Sequence, residues 1–340
     1  MYYKLILLLS IAFFFGACLS PTTTTTNDNT AYVFLSKSAA AKVVTIDKKE
    51  NYFEKVMPLE LSIQLNQELE DQPREKTLVT YKKMLQDDLL NFTEEEKVIV
   101  TQVMQKALTM CQAIDPEFKL PLLQLVKTKG SYYGSGVFYT RDAAIVIPAP
   151  MIPEDMDYAN EGFLSTMLHE IFHVYSRYNK DKRDALYARI GFEKLDNLVL
   201  SDFLSKRVLY NPDGVDLGYA ITVQKDGKPI KAVPIIYSKY KHFNPQLKPF
   251  FSYMIFQLFE VQEVDGDWKV ISDDIGYNLD EVTNFWEQVT ENTQYNIHPD
   301  ELWADNFVLL AQSKENPAAL EPLSAAGKKL VTDMQKIINN

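Results

Sequence analysis

Cysteine is nearly absent from this sequence. Its 340 residues include two, Cys18 and Cys111, and Cys18 closes an N-terminal apolar segment. The one that remains cannot form an internal disulfide, so no disulfide framework is expected. Cys111 falls in an apolar helical pattern and reads as a buried core residue. Histidine is scarce, with four in all, and basic charge is outnumbered: 35 Lys and Arg against 46 Asp and Glu give a net charge of −11. Nothing in that balance could neutralise a run of phosphates, which argues against nucleic acid as a partner and equally against electrostatic attachment to anionic lipid. There is no internal repeat and no long like-charge block. Apolar residues, at 46%, are what the chain has in quantity. They indicate a globular protein with an ample core, in one large domain or two small ones.

The start of the chain, "MYYKLILLLSIAFFFGACLS", has Lys4 at its front, an apolar run over residues 5–15, then Gly16, Ala17 and Cys18. The run falls short of the ~20 residues of a membrane span and ends in small residues, the pattern of a secretory signal. Small residues directly before a cysteine resemble a bacterial lipobox, although Phe15 departs from the leucine-like residue usual at that place. The resemblance implies a lipoprotein signal peptide over residues 1–17, lipidation of Cys18, and an exported protein anchored to a membrane of the cell envelope. Residues 18–30, including "SPTTTTTNDNT", lack apolar periodicity and read as a flexible tether.

Residues 31–115 read as a mostly helical region, with Thr93 as an N-cap and Glu96 at the capping-box position of a long helix. In residues 116–206 the texture changes to short strands, "LLQLVKTKGSYYGSGVFYT" and "AAIVIPAP", followed by a helix over about residues 161–178. Residues 207–275 read as a β-rich insertion with hairpin turns at Asp226-Gly227 and Asp265-Gly266. Within it "PFFSYMIFQLFEV" has the look of a strand buried on both faces. "NPDG" at 211–214 is a turn by composition and carries no further signal. Residues 276–340 return to helix, over "NLDEVTNFWEQVT", "HPDELWADNFVLLA" and "LEPLSAAGKKLVTDMQKII".

The informative helix contains "MLHEIFHVYSR", which puts two of the four histidines, His169 and His173, four residues apart. At 100° per residue, Leu164, Leu168, Ile171, Phe172 and Tyr175 crowd one arc, and Phe163, Met167 and Val174 fill the opposite side. The polar residues share one window holding Thr166, His169, His173, Ser176 and Arg177, with Glu170 at its edge. A helix this apolar is buried. Positions i and i+4 lie one turn apart on one face, so both imidazoles can present a nitrogen to one ion. Two buried neutral imidazoles would otherwise need partners for four ring nitrogens. A zinc ion supplies that partner, and Glu170 beside it can serve as general base in hydrolysis.

His169-Glu170-Ile171-Phe172-His173 resembles the HExxH signature of the zincin metallopeptidases, position for position. A catalytic site needs a third protein ligand and an open position. The metzincin extension is ruled out, because Ser176 and Asn179 stand where glycine and a further histidine would be required. The gluzincin branch takes a glutamate from a later helix, commonly followed four residues on by aspartate. Glu301 and Asp305 in "HPDELWADNF" match, with Pro299 suited to the first turn. By that resemblance Glu301 is the third ligand and Asp305 holds a ligand histidine from behind. Glu193 competes: it follows His173 after a short gap of the thermolysin kind, whereas Glu301 comes far later. Context favours Glu301, since Glu193 has Asn197 at its fourth place and Gly191 ahead of it. A long insertion between two packed elements costs little free energy. Gluzincins also use a histidine or tyrosine to stabilise the oxyanion. No histidine or tyrosine follows Glu301, which leaves His298, His242, Tyr237, Tyr240 and Tyr219 as candidates.

The expectation is an α+β protein with a zincin-like metallohydrolase core, a β-rich insertion and flanking helices. Its chemistry would be zinc-dependent hydrolysis of a peptide or protein substrate. The competing expectation is a lipid-anchored binding protein whose zinc site is structural or vestigial.

Overall fold

The computed structural model describes residues 31–131, 133, 136–155, 162–247, 250–272 and 276–340. The signal segment, the tether and Cys18 lie outside the described residues. The class is α+β, built on two sheets. The first contains β1 (Tyr32–Phe34), β2 (Leu89–Leu90), β3 (Leu123–Thr128), β4 (Tyr139–Arg141) and β5 (Ala144–Pro148), in the order β1-β3-β5-β4 with β2 pairing to the far end of β3. β1, β3 and β5 run parallel, and β4 lies antiparallel to β5 at the edge. Helices cover both faces, which is why β5 is continuously apolar rather than alternating. Against one face lie α1 (Lys37–Val43), α2 (Tyr52–Lys55), α3 (Pro58–Leu65) and α4 (Arg74–Asp87), with Ala40, Tyr52, Leu61 and Tyr81 meeting Val126, Ala144 and Val146.

Against the other face lie α5 (Glu94–Ile114) and α6 (Leu164–Tyr178). α5 begins at the expected capping box, where the Glu96 N–H donates to Thr93 Oγ1 at 3.2 Å and the Thr93 N–H donates to Glu96 Oε2 at 2.7 Å. Glu96 also pairs with Lys127 of β3 at 2.5 Å, tying the helix start to the sheet. Cys111 is buried on this helix as a free thiol. Beyond α6 come α7 (Lys180–Arg189) and α8 (Asp202–Ser205), then α9 (Phe285–Val289), α10 (Pro299–Glu315) and α11 (Ala325–Asn339). α10 packs along α6, with Phe307 against Phe172 at 5.4 Å between ring centres.

The second sheet takes β6 (Phe192–Lys194), β7 (Leu198–Val199), β8 (Tyr219–Lys225), β9 (Lys228–Ser238), β10 (Met254–Val264) and β11 (Asp267–Val270) in the order β6-β8-β9-β10-β11-β7. Both expected hairpins form, with φ of 51° and 73° at Asp226 and Gly227 and 58° and 85° at Asp265 and Gly266. Two positive φ angles in succession are what a type I′ turn demands, and Asp-Gly tolerates them. β10 differs from the expectation of a strand buried on both faces. It starts only at Met254, buries just three of its eleven residues, and runs out to an exposed hairpin. "NLDEVTNFWEQVT" does not form one helix either. Asn278 and Glu281 cap a single 3-10 turn, Thr283 exchanges backbone bonds with Gln224 of β8, and Asn284 takes a φ of 65°. Pairing to the sheet thus outcompetes helix propagation, and α9 is left with five residues.

Residues Ala31–Asn340 cluster as one unit. Strands cross the boundaries at 115 and 206: β1 joins β3, and β6 joins β8. Among the described residues no helix is long and apolar enough to cross a membrane.

Candidate metal centre

Burial fixes the orientation of α6. Met167, Leu168, Ile171, Phe172 and Val174 are fully inaccessible, so the helix cannot rotate without exposing core. Its polar window then opens where α10 passes. His169 Nε2 lies 3.0 Å and His173 Nε2 3.3 Å from the same oxygen, Glu301 Oε2. Candidate ligand atoms of His169, His173 and Glu301 lie within 4.8 Å of one another. Donors at ~2.0–2.2 Å from a tetrahedral zinc stand roughly 3.3–3.6 Å apart, so the three side chains need move little to hold one.

Each imidazole has its own carboxylate behind it. His169 Nδ1 lies 2.9 Å from Asp305 Oδ1 and His173 Nδ1 2.6 Å from Asp300 Oδ2. A carboxylate only accepts, so each Nδ1 carries a proton and donates, which turns each Nε2 toward Glu301. Asp305 is held by the Thr293 hydroxyl, and Asp300 by the hydroxyls of Ser176 and Tyr187, the latter at 2.6 Å. Asn211 Nδ2 donates to Glu301 Oε1 at 2.5 Å, leaving Oε2 to face the histidines.

Three carboxylates around two buried imidazoles demand positive charge. Burial opposes protonation of His169, but Asp305 and Glu301 outweigh it and push its pKa up to about 10. For His173, burial is likewise overcome, chiefly by the charges of Glu301 and Asp213. The Glu301 carboxyl is held well below its ordinary range: burial works against this, and the two histidines prevail. A site that draws protons so strongly favours a divalent cation in their place.

Glu170 behaves differently. It lines a cleft beside His169 and Glu301, is 4% exposed, and among the described residues its Oε2 has no hydrogen-bond partner. Burial first, and then the charge of Asp213, raise its pKa to about 8. The cleft measures about 350 Å³ and is bounded by 136–138 ahead of β4, by His169, Glu170 and Thr166 of α6, and by Asp213, Tyr295, Glu301 and Asp305. Two of the three candidate ligands, His169 and Glu301, thus line it, and His173 does not.

The structure thus brings together His169, Glu170, His173, Glu301 and Asp305. Glu193 is elsewhere, on β6, half-exposed and paired with Lys231 at 2.7 Å. The five residues considered as oxyanion stabilisers do not line the cleft. His298 caps α10: its Nδ1 accepts from the Asp300 N–H at 3.1 Å, and its Nε2 lies 3.1 Å from the carbonyl of Asp216. The Tyr219 and Tyr237 hydroxyls donate at 2.7 Å to Asp184 and Gln257, Tyr240 packs against Tyr253, and His242 is exposed beside Glu70.

Sequence reasoning missed Tyr295, Asp300, Asn211 and Asp213. Tyr295 is 44% exposed on the cleft wall, with its ring stacked on His169 at 6.0 Å and 22°. The charge of Glu301 first, and burial second, hold its hydroxyl protonated well above the usual tyrosine range. Its place in "TQYNIHPDEL", just ahead of Glu301, was the available signal. Comparison with protein-family models, curated proteins and solved structures finds no match to this chain.

Proposed function

We propose that the chain is a zinc metallohydrolase with a zincin-like core, acting as a peptidase on peptide or protein substrates. The observation that carries this reading is the convergence of His169, His173 and Glu301 on one point, with His169 and Glu301 lining a cleft that Glu170 also lines. A structural zinc site is closed by four protein ligands, whereas three ligands with an open side suit catalysis. Zinc in such a site supplies Lewis-acid polarisation of a carbonyl and lowers the pKa of a water toward neutrality.

The chain's own residues then have distinct tasks. Glu170 takes a proton from the attacking water and returns it to the leaving amine. Its unpartnered Oε2 and raised pKa suit a group that must both gain and lose a proton near neutrality. Tyr295 donates from its hydroxyl to the carbonyl oxygen as charge builds there. Asp300 and Asp305 keep both imidazoles in one tautomer. Residues 136–138, which line the cleft ahead of the edge strand β4, offer backbone groups to an extended peptide. A neighbouring pocket shares Val137, Phe138, Asp213 and Tyr295 with the cleft and continues into Leu209, Ile236, Phe250 and Met254. Such a lining suits a bulky apolar side chain next to the scissile bond. Export and lipid anchoring through Cys18 belong to the same proposal.

Digestion of a peptide library with purified protein tests this directly. Zinc-loaded wild type should cleave, and Glu170→Gln should retain zinc while losing about 10²–10⁴ in turnover. Cleavage that survives in Glu170→Gln, or zinc lost as readily as in His173→Ala, would refute the role of Glu170. No cleavage by wild type, with zinc firmly bound, would favour a structural zinc site in a lipid-anchored binding protein.

A further inference from the structure

The turn Asn211-Pro212-Asp213-Gly214 sits in the β-rich segment between the two halves of the metal motif, and each of its residues touches one half or the other. Asn211 uses both ends of its amide. Its Oδ1 accepts from the Asp213 N–H at 3.1 Å, which fixes the orientation of the group, so that Nδ2 must face outward to Glu301 Oε1 at 2.5 Å. The Pro212 carbonyl accepts from Arg177 of α6 at 3.4 Å. Asp213 accepts from the Thr140 N–H of β4 at 2.7 Å and from the Thr140 hydroxyl, which in turn accepts from Arg177 at 2.8 Å. At Gly214 a Cβ would stand 2.3 Å from His298 Nδ1, the atom that caps α10.

A solvated surface turn would show none of this. Pro212 and Gly214 are buried, and the contacts reach α6, α10 and β4 at once. The glutamate could otherwise rotate and offer either oxygen; with Oε1 engaged by Asn211, only Oε2 is presented to the histidines. We infer that the turn at 211–214 is the positioning element of the metal centre: Asn211 orients Glu301 for the metal, and Gly214 leaves room for the His298 cap that sets the start of its helix. The inference rests on the metal reading above, and it makes the inserted β segment a working part of the site.

The test uses full-length Asn211→Ala, Asn211→Ser and Gly214→Ala. Ser retains an oxygen able to accept from Asp213 within the turn but cannot reach Glu301, so it separates orientation of the ligand from folding of the turn. Zinc affinity is measured by competition with a chelator, and ligand geometry by the visible absorption of the cobalt(II)-loaded protein. Both Asn211 variants should bind zinc about 10–100-fold more weakly than wild type, with an altered cobalt spectrum. Gly214→Ala should weaken binding as well, while the melting temperature of metal-free Asn211→Ser stays near that of wild type. Wild-type affinity and an unchanged cobalt spectrum in Asn211→Ser would overturn the inference alone. A wild-type protein that binds no zinc would overturn the metal reading, and the inference with it.

Discussion

Asp300 and Asp305 flank Glu301 on α10 and serve different histidines, a division that helical geometry dictates. Asp305 lies one turn beyond Glu301 on the same face, so its pairing with His169 could be anticipated from spacing. Asp300 is adjacent to Glu301 and points about 100° away, toward His173, Ser176 and Tyr187. In the sequence an acidic residue there looks like compensation of the helix dipole in the first turn, which conceals its second task. Tyr295 was hidden for another reason, since its ring reaches His169 through a loop whose path no periodicity describes. Its place on the cleft wall yields a sharp expectation. Tyr295→Phe should retain zinc and substrate affinity while turnover falls by about 10²–10³, the effect of removing one oxyanion donor. Stopped-flow turnover with metal analysis of the same sample checks it, and a loss confined to KM would assign Tyr295 to substrate binding instead.

At the scale of elements, the sequence made some features plain and others invisible. The capping box of α5, the buried α6 and the two Asp-Gly hairpins were legible, because each depends on residues a few places apart. Where α9 breaks up, the cause is a backbone exchange between Thr283 and Gln224 of β8, far apart in the chain, and local propensity cannot report it. The choice between Glu193 and Glu301 shows the same contrast. Spacing after the histidines pointed to Glu193, but that residue lies in a strand of the second sheet, paired with Lys231. Context pointed to Glu301, on the helix packed along α6, and its carboxylate lies beside both imidazoles. Glu301→Ala should therefore weaken zinc binding by orders of magnitude, and Glu193→Ala should leave it unchanged. Equilibrium dialysis of the two variants decides; the opposite ranking would remove Glu301 from the site.

Across the whole molecule, the candidate metal centre stands at the meeting of a helix-covered sheet and a second, mostly antiparallel one, and a buried carboxyl marks part of that junction. Glu60 of α3 has no accessible surface, and its two oxygens accept from the Tyr52 hydroxyl at 2.9 Å and from the Tyr210 N–H at 3.1 Å. Tyr210 immediately precedes Asn211, so the N-terminal helices brace the turn that contacts Glu301. Burial raises the pKa of Glu60 to about 8, against the opposing pull of those two bonds and of Arg141. In the unfolded chain the same group titrates near the ordinary glutamate value of 4.5. Between these values the folded state binds the extra proton, so stability is greatest below the lower pKa and falls as pH rises through the upper one. Glu60→Gln removes the titration yet keeps a donor and an acceptor for the same partners. The melting temperature of the variant, minus that of wild type, should therefore grow by at least about 2 °C from pH 5 to pH 8. Both proteins must be melted in chelator, because bound metal would itself shift the transition. A difference that stays level across that range would mean that Glu60 is ionised at the junction throughout, held by Arg141, the Tyr52 hydroxyl and the Tyr210 N–H rather than neutralised by burial.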